Sequence, residues 1–233
     1  GNGKGSRELY ARLTAELPDR KDTQGLTFHY LMPDVDGHNR VFMACQECGH
    51  RPVLVADAGF MYAAKMSGYA ADYDLFTPDA GELAFLADEK APHPFYARGF
   101  LLDSHDNVPG LLARASEHQN AARFMIIKGA RDAISEGSRI IHWVDEPQTP
   151  AMEAIGGTGD MVTGIVTGLL AGGMDLPQAA LTAARAARYA GSLAAPTPAT
   201  QIAEILPFVP QALRKALAQN GSGENGQKYT AGC

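Results

Sequence analysis

Short, unbroken apolar runs constrain the fold of this chain more than any other feature. Pro52–Ala56 reads Pro-Val-Leu-Val-Ala and ends at Asp57, and Arg123–Ile127 reads Arg-Phe-Met-Ile-Ile and ends at Lys128-Gly129. Neither alternates polar with apolar residues, so neither has a face to give to water. A strand of that kind belongs in a parallel sheet covered by helices on both sides. Leu26–Met32 and Tyr73–Thr77 extend the series. Helical patterns fill the intervals at Arg7–Leu17, Val41–Glu47, Phe60–Gly68, Glu82–Leu86 and Val108–Asn120, while Pro33–Asn39 reads as a turn-rich loop. Ala133–Ser135 and Arg139–Val144 pair as a hairpin around Glu136-Gly137-Ser138. Further on, Asp175 is placed to cap an alanine-rich helix, Gln178–Ala194, with Pro177 in its first turn, and a last short helix covers Val209–Gln219. The predicted class is α/β, with a mostly parallel central sheet and helices on both faces. The 233 residues, 45% hydrophobic, suit one such domain over 1–219 and a polar, flexible C-terminal tail over 220–233.

Charge narrows the partners. Lys+Arg number 20 and Asp+Glu 26, a net −6 with no dense basic stripe, which argues against nucleic acid or an anionic membrane as the main partner. The longest apolar run, Met161–Met174, is short for a membrane span and broken by glycines. With no basic-then-apolar leader, a cytoplasmic location is the default expectation. Three cysteines exclude a disulfide framework. Cys45-x-x-Cys48 could be half a zinc site or a redox pair, but the helical Arg40–Glu47 stretch places the two one turn apart on one face, so they read as ordinary helix cysteines and no metal site is assigned. His93, His105 and His142 lack ligand spacing, and Trp143 reads as a packing residue in its strand.

Chemistry concentrates in Ile155-Gly156-Gly157-Thr158-Gly159-Asp160, which runs straight into an apolar helix rich in small residues. Glycines allow positive φ and close backbone approach. A helix starting there adds unpaired N–H donors and the positive end of its dipole, which together make an anion site. Asp160 stands at its mouth as a proton-handling group, or as a simple helix cap. Other polar groups follow strands: Asp57, then Asp79 and Glu82, then Lys128-Gly129. In open α/β sheets ligands bind beyond the carboxyl ends of strands. Asp79 and Glu82 read equally as ligands of a cation or hydroxyl and as helix caps. Lys128 reads as a contact to a nucleotide phosphate or ribose, or as a solvated lysine beside a turn. The Gly-Lys-Gly-Ser of Gly3–Ser6 lacks the spacing of a phosphate loop.

Five blocks in this order resemble the ribokinase-like superfamily, and within it the carbohydrate-kinase-like NAD(P)H-hydrate dehydratases. They are Gly1–Leu13, Pro52–Met61 (PVLVADAGFM), Thr77–Leu83 (TPDAGEL), Ile126–Ile134 (IIKGARDAI) and Ala154–Gly173. The resemblance implies a three-layer α/β sandwich in which Gly157, Thr158 and Gly159 form an anion hole. Asp160 would act on the acceptor hydroxyl and contact substrate. Lys128, Gly129, Ala130, Arg131 and Asp132, with Gly159, would line an adenine nucleotide, ADP or ATP, carried with Mg²⁺. Asp79 and Asp57 would touch the substrate. Asp79-Ala80 stands where the family has His-Pro, and Val55 where it has the first Asp of Asp-Ala-Asp-Ala; the family's first strand would lie ahead of Gly1. The implied activity is nucleotide-driven removal of water from hydrated NADH or NADPH, with two alternatives: an ATP-dependent kinase of a sugar or vitamin alcohol, and a non-catalytic nucleotide binder. Homo-oligomerisation is left open.

Overall fold

The computed structural model describes residues 4–20, 22–29, 34–91 and 107–223. The chain divides into two compact units, Gly1–Trp143 and Val144–Cys233.

The first unit is built on a six-stranded sheet. Its strands are β1 (Gly25–Phe28), β2 (Val53–Ala56), β3 (Leu75–Phe76), β4 (Phe124–Ile127), β5 (Asp132–Glu136) and β6 (Arg139–Val144), and they lie side by side in that order. The first four are parallel, with Leu26 opposite Leu54, Ala56 opposite Phe76 and Leu75 opposite Phe124. β5 turns back antiparallel along β4, Ile126 facing Ile134. The two-residue connection Gly137-Ser138 then joins β5 to β6 antiparallel, so β6 again points the same way as β1–β4. All four β4 side chains are buried, as an unbroken apolar strand requires.

Helices connect the parallel strands: α2 (Val35–Glu47), α3 (Gly59–Met66), α4 (Ala80–Ala87) and α5 (Val108–Glu117), with α1 (Lys4–Glu16) ahead of β1. Their apolar faces and the sheet enclose a core that includes Leu54, Phe60, Met61, Phe76, Leu83, Phe85, Leu112 and Met125. His38 is buried within it and bonded through Nε2 to the Tyr73 hydroxyl at 2.9 Å and through Nδ1 to Asn39 Oδ1 at 3.1 Å. Burial holds the His38 pKa below the ordinary histidine value.

The second unit contains α6 (Thr158–Ala171), α7 (Leu176–Ala194), α8 (Ile202–Ile205) and α9 (Val209–Gly223). Asp175 caps α7 by accepting from Gln178 N at 3.0 Å. The alanines of α7 form its buried face, and at Gly191 a Cβ would come within 2.9 Å of Met152 Sδ, so the Met152 side chain would have to shift to admit one.

Several boundaries differ from the sequence reading. Val35–Asn39 is the first part of α2 rather than loop, because Asp34 caps it by accepting from Gly37 N at 3.0 Å. The turn-forming composition of that stretch is the signature of a helix start. The last helix reaches Gly223, so residues 220–223 are not tail; Asn220 Nδ2 donates to Thr182 Oγ1 at 2.7 Å and Asn220 Oδ1 accepts from Arg185. Residues 224–233, like His93 and His105, lie outside the described residues. Trp143 is 39% exposed rather than packed. At Gly164 and Gly168 of α6 a Cβ would meet nothing within 4 Å.

Candidate functional site

The parallel strands of the first unit deliver their carboxyl ends to one edge of the sheet, and the polar residues predicted from sequence gather there. Asp57 follows β2, held by its N–H to Phe28 O of β1 at 2.9 Å. Its side chain is only 2% exposed, and Oδ1 accepts from Ala58 N at 2.9 Å. Ala58, at φ 48°, makes a sharp turn into α3 in a region that residues with a Cβ rarely occupy. Strain of this kind persists where the surrounding structure fixes it, and here it aims Asp57 beyond the strand.

Lys128 follows β4 and crosses the sheet edge to Asp57, Nζ to Oδ1 at 3.1 Å. The chain leaves β4 alongside Asp79, with Lys128 N donating to Pro78 O at 2.8 Å. Burial alone would disfavour the ammonium. The carboxylates of Asp57, Glu82 and Asp79 outweigh it and hold the Lys128 pKa above the ordinary lysine value. His29, at the end of β1, brings Nε2 to 3.5 Å from Asp57 Oδ2. Lys128 is thus turned into the protein toward a carboxylate, a role its sequence position did not signal.

Asp79 and Glu82 form a capping box at the start of α4: Glu82 N donates to Asp79 Oδ1 and Asp79 N to Glu82 Oε2, each at 2.8 Å. The Tyr62 hydroxyl donates to Glu82 Oε1 at 2.9 Å. Burial pushes the Glu82 carboxyl up to about 7; Lys128 pulls it down, and Asp79 and Asp57 add to the rise. This group therefore titrates near neutrality, and its nearest signal in the sequence was the Asp-x-x-Glu spacing. Gly129 N donates to Asp132 Oδ1 at 3.0 Å, closing the turn Lys128–Asp132 before β5. The Arg131 guanidinium lies 4.5 Å over the Trp143 ring.

In the second unit, Gly157 adopts φ 93° at the N-cap of α6 with no side-chain cap. A Cβ there would meet Ile202 at 3.1 Å, so both the backbone and the space select glycine. The Thr158 hydroxyl donates backward to Ile155 O at 3.1 Å rather than accepting from the helix start. Asp160 is exposed in the first turn. Cys45, buried on α2, has its thiol pushed up to about 12, chiefly by burial, which keeps it unreactive.

Residues 39–207 match the NAD(P)H-hydrate dehydratase family, Carb_kinase. The chain belongs to that family. As a member of this enzyme family it is 38% identical to an uncharacterized protein of Methanocaldococcus jannaschii over 93% of this chain and 89% of that one. It is 31% identical to the ADP-dependent (S)-NAD(P)H-hydrate dehydratase of Cenarchaeum symbiosum over 59% of this chain, which spans only 42% of that protein. Among solved structures it is similar to a ribokinase-like superfamily protein of Enterococcus faecalis, with TM-score 0.61, 18% identity, and 90% and 68% of the two chains covered. It is also similar to phosphofructokinase-2 of Escherichia coli, with TM-score 0.57, 14% identity, and 88% and 62% covered. The dehydratase family fold is therefore the ribokinase-like α/β sandwich with a mostly parallel sheet. Among the described residues no helix is long and apolar enough to cross a membrane.

Proposed function

We propose that this protein is a nucleotide-dependent NAD(P)H-hydrate dehydratase, restoring NADH or NADPH from the hydrated form of the reduced ring. The observation that carries this reading is the helix start at Gly157, left-handed and without a side-chain cap, with Asp160 in its first turn, in a chain of the dehydratase family. Gly157, Thr158 and Gly159 present N–H groups to the transferring phosphoryl group and stabilise its developing charge. Asp160 accepts the proton of the ring hydroxyl as that oxygen takes the phosphoryl group from ADP or ATP. The C–O bond then breaks, phosphate leaves, and loss of a ring proton restores the double bond. Lys128 through Asp132 holds the nucleotide, and Asp57 and Asp79 contact the substrate.

The donor set bears on the metal. Asp57, Asp79 and Glu82 each already accept protein hydrogen bonds, which leaves each carboxylate fewer lone pairs to offer a metal. They suit a Mg²⁺ held mainly by phosphate oxygens and water, the usual arrangement for that ion, whose contribution is to neutralise phosphate charge. The test is to incubate the protein with hydrated NADH, Mg²⁺ and ADP or ATP. Return of the reduced-ring absorbance is expected with one of the two nucleotides. No return with either removes the dehydratase reading, and ADP release that appears only with an added sugar or vitamin alcohol replaces it with a kinase.

A further inference from the structure

Trp143 has no role among those assigned above, and its Arg131 neighbour has only a place in the nucleotide-lining turn, yet the two sit together at a functional edge. β6 runs parallel to β1–β4, so Trp143, near its carboxyl end, emerges at the same edge of the sheet as Asp57, Asp79 and Lys128. It lies two strands beyond β4, about 10 Å across the sheet from Lys128 at ordinary strand spacing. Arg131 belongs to the turn that joins β4 to β5 and places its guanidinium 4.5 Å over the indole. A large aromatic ring left 39% exposed on an edge strand, with a cation fixed over it, is a stacking platform ready for another flat ring.

We infer that the Arg131–Trp143 pair is the platform on which the purine base of the nucleoside di- or triphosphate stacks. The inference rests on the reading that the Lys128–Asp132 turn lines the nucleotide, and it goes beyond that reading by naming the group that meets the base. Stacking on an aromatic ring or a guanidinium uses the π-face that every base has, so it adds affinity without strict base identity. The site therefore accepts ADP and GDP alike and favours both over inorganic tripolyphosphate, which has no ring to stack.

Trp143 is the sole tryptophan of the chain, so the wild-type protein carries its own probe. Intrinsic emission and calorimetry are followed together as ADP, GDP or tripolyphosphate is added. The expected result is an emission change that saturates with calorimetric binding of ADP and GDP. Trp143→Ala is expected to weaken ADP about 10-fold, within the range reported for loss of one stacked base, and to leave tripolyphosphate unchanged. Trp143→Phe, which keeps a ring and the strand, is expected to bind ADP close to wild type. Calorimetric binding of ADP with no change in emission and no loss in Trp143→Ala overturns the platform while leaving the nucleotide reading intact. Equal weakening of ADP and tripolyphosphate overturns it as well, since that reports general damage. Absence of any nucleotide binding to the wild type removes both.

Discussion

Lys128 and Asp57 are 71 residues apart in sequence and 3.1 Å apart in the fold, an ion pair at the carboxyl ends of two parallel strands. With the lysine side chain 18% exposed and the carboxylate 2%, neither charge is solvated well enough to stand alone. Removing one partner of a buried pair typically costs about 3–5 kcal/mol, because the other is left uncompensated. Lys128→Met is therefore expected to lower unfolding stability in urea by about 3 kcal/mol. The double variant Lys128→Met/Asp57→Asn is expected to recover at least half of that loss. Equal instability of single and double variants would locate the cost in packing of the lysine stem instead.

Asp79 has two roles that one substitution cannot separate. Its carboxylate caps α4, and loss of such a cap costs about 1 kcal/mol. Asp79→Ala is expected to lose that amount in chemical denaturation. Asp79→Ser keeps a side-chain acceptor and is expected to return to near wild-type stability. If Asp79 also touches substrate, the serine variant keeps a raised KM despite its restored stability. A KM that recovers together with stability would confine Asp79 to capping.

Much of this arrangement was legible in the sequence, for identifiable reasons. β2 and β4 were readable because an apolar strand with no polar face has few alternatives to the middle of a parallel sheet, and that in turn gathered Asp57, Asp79 and Lys128 at one edge. The glycine loop before Asp160 was readable as a helix start because its residue types suit the positive φ that Gly157 adopts. The Lys128–Asp57 pair was not readable, since sequence spacing holds no trace of a contact across 71 residues. The start of α2 was missed because Asp34, Asp36, Gly37 and Asn39 favour turns and helix starts for the same reason, short side chains that bond nearby backbone. From sequence Trp143 reads as packing because its neighbours Ile140 and Ile141 are apolar, but among the described residues β6 is an edge strand.

Glu82 gives the site a pH dependence with a definite sign. Its native carboxyl is pushed up to about 7 from an ordinary 4.5, so between those values the folded protein holds a proton that the unfolded chain has lost. Stability from this group is complete below about 4.5, falls as pH rises toward 7, and is flat beyond. Glu82→Gln fixes the neutral form. The thermal midpoint of that variant is expected to decline less than wild type between pH 5 and 8. Parallel profiles for the two proteins would mean that Glu82 is ionised throughout the range.

Ala58 carries the strain that aims Asp57. At φ 48° and ψ −129° it occupies a conformation natural only to glycine. A residue held in such a region costs about 1–3 kcal/mol, against which glycine's extra freedom in the unfolded chain offsets about 0.5–1. Ala58→Gly is expected to raise stability by about 1 kcal/mol with Asp57 still placed, and so with activity retained. Destabilisation would show that the Ala58 methyl packs well enough to outweigh the backbone term.

Asp160 separates chemistry from binding. It is exposed in the first turn of α6, where its charge also favours the helix start by about 0.3–1 kcal/mol, so a change to alanine would mix the two effects. Asp160→Asn keeps the shape and hydrogen-bonding reach while removing the ability to take a proton. General-base catalysis typically contributes 10²–10⁴-fold, and kcat for return of the reduced ring is expected to fall by about that factor. The backbone N–H groups of Gly157–Gly159 are untouched, so nucleotide affinity by calorimetry is expected to change little. A loss confined to affinity would make Asp160 a binding residue, and unchanged turnover would remove it from the reaction.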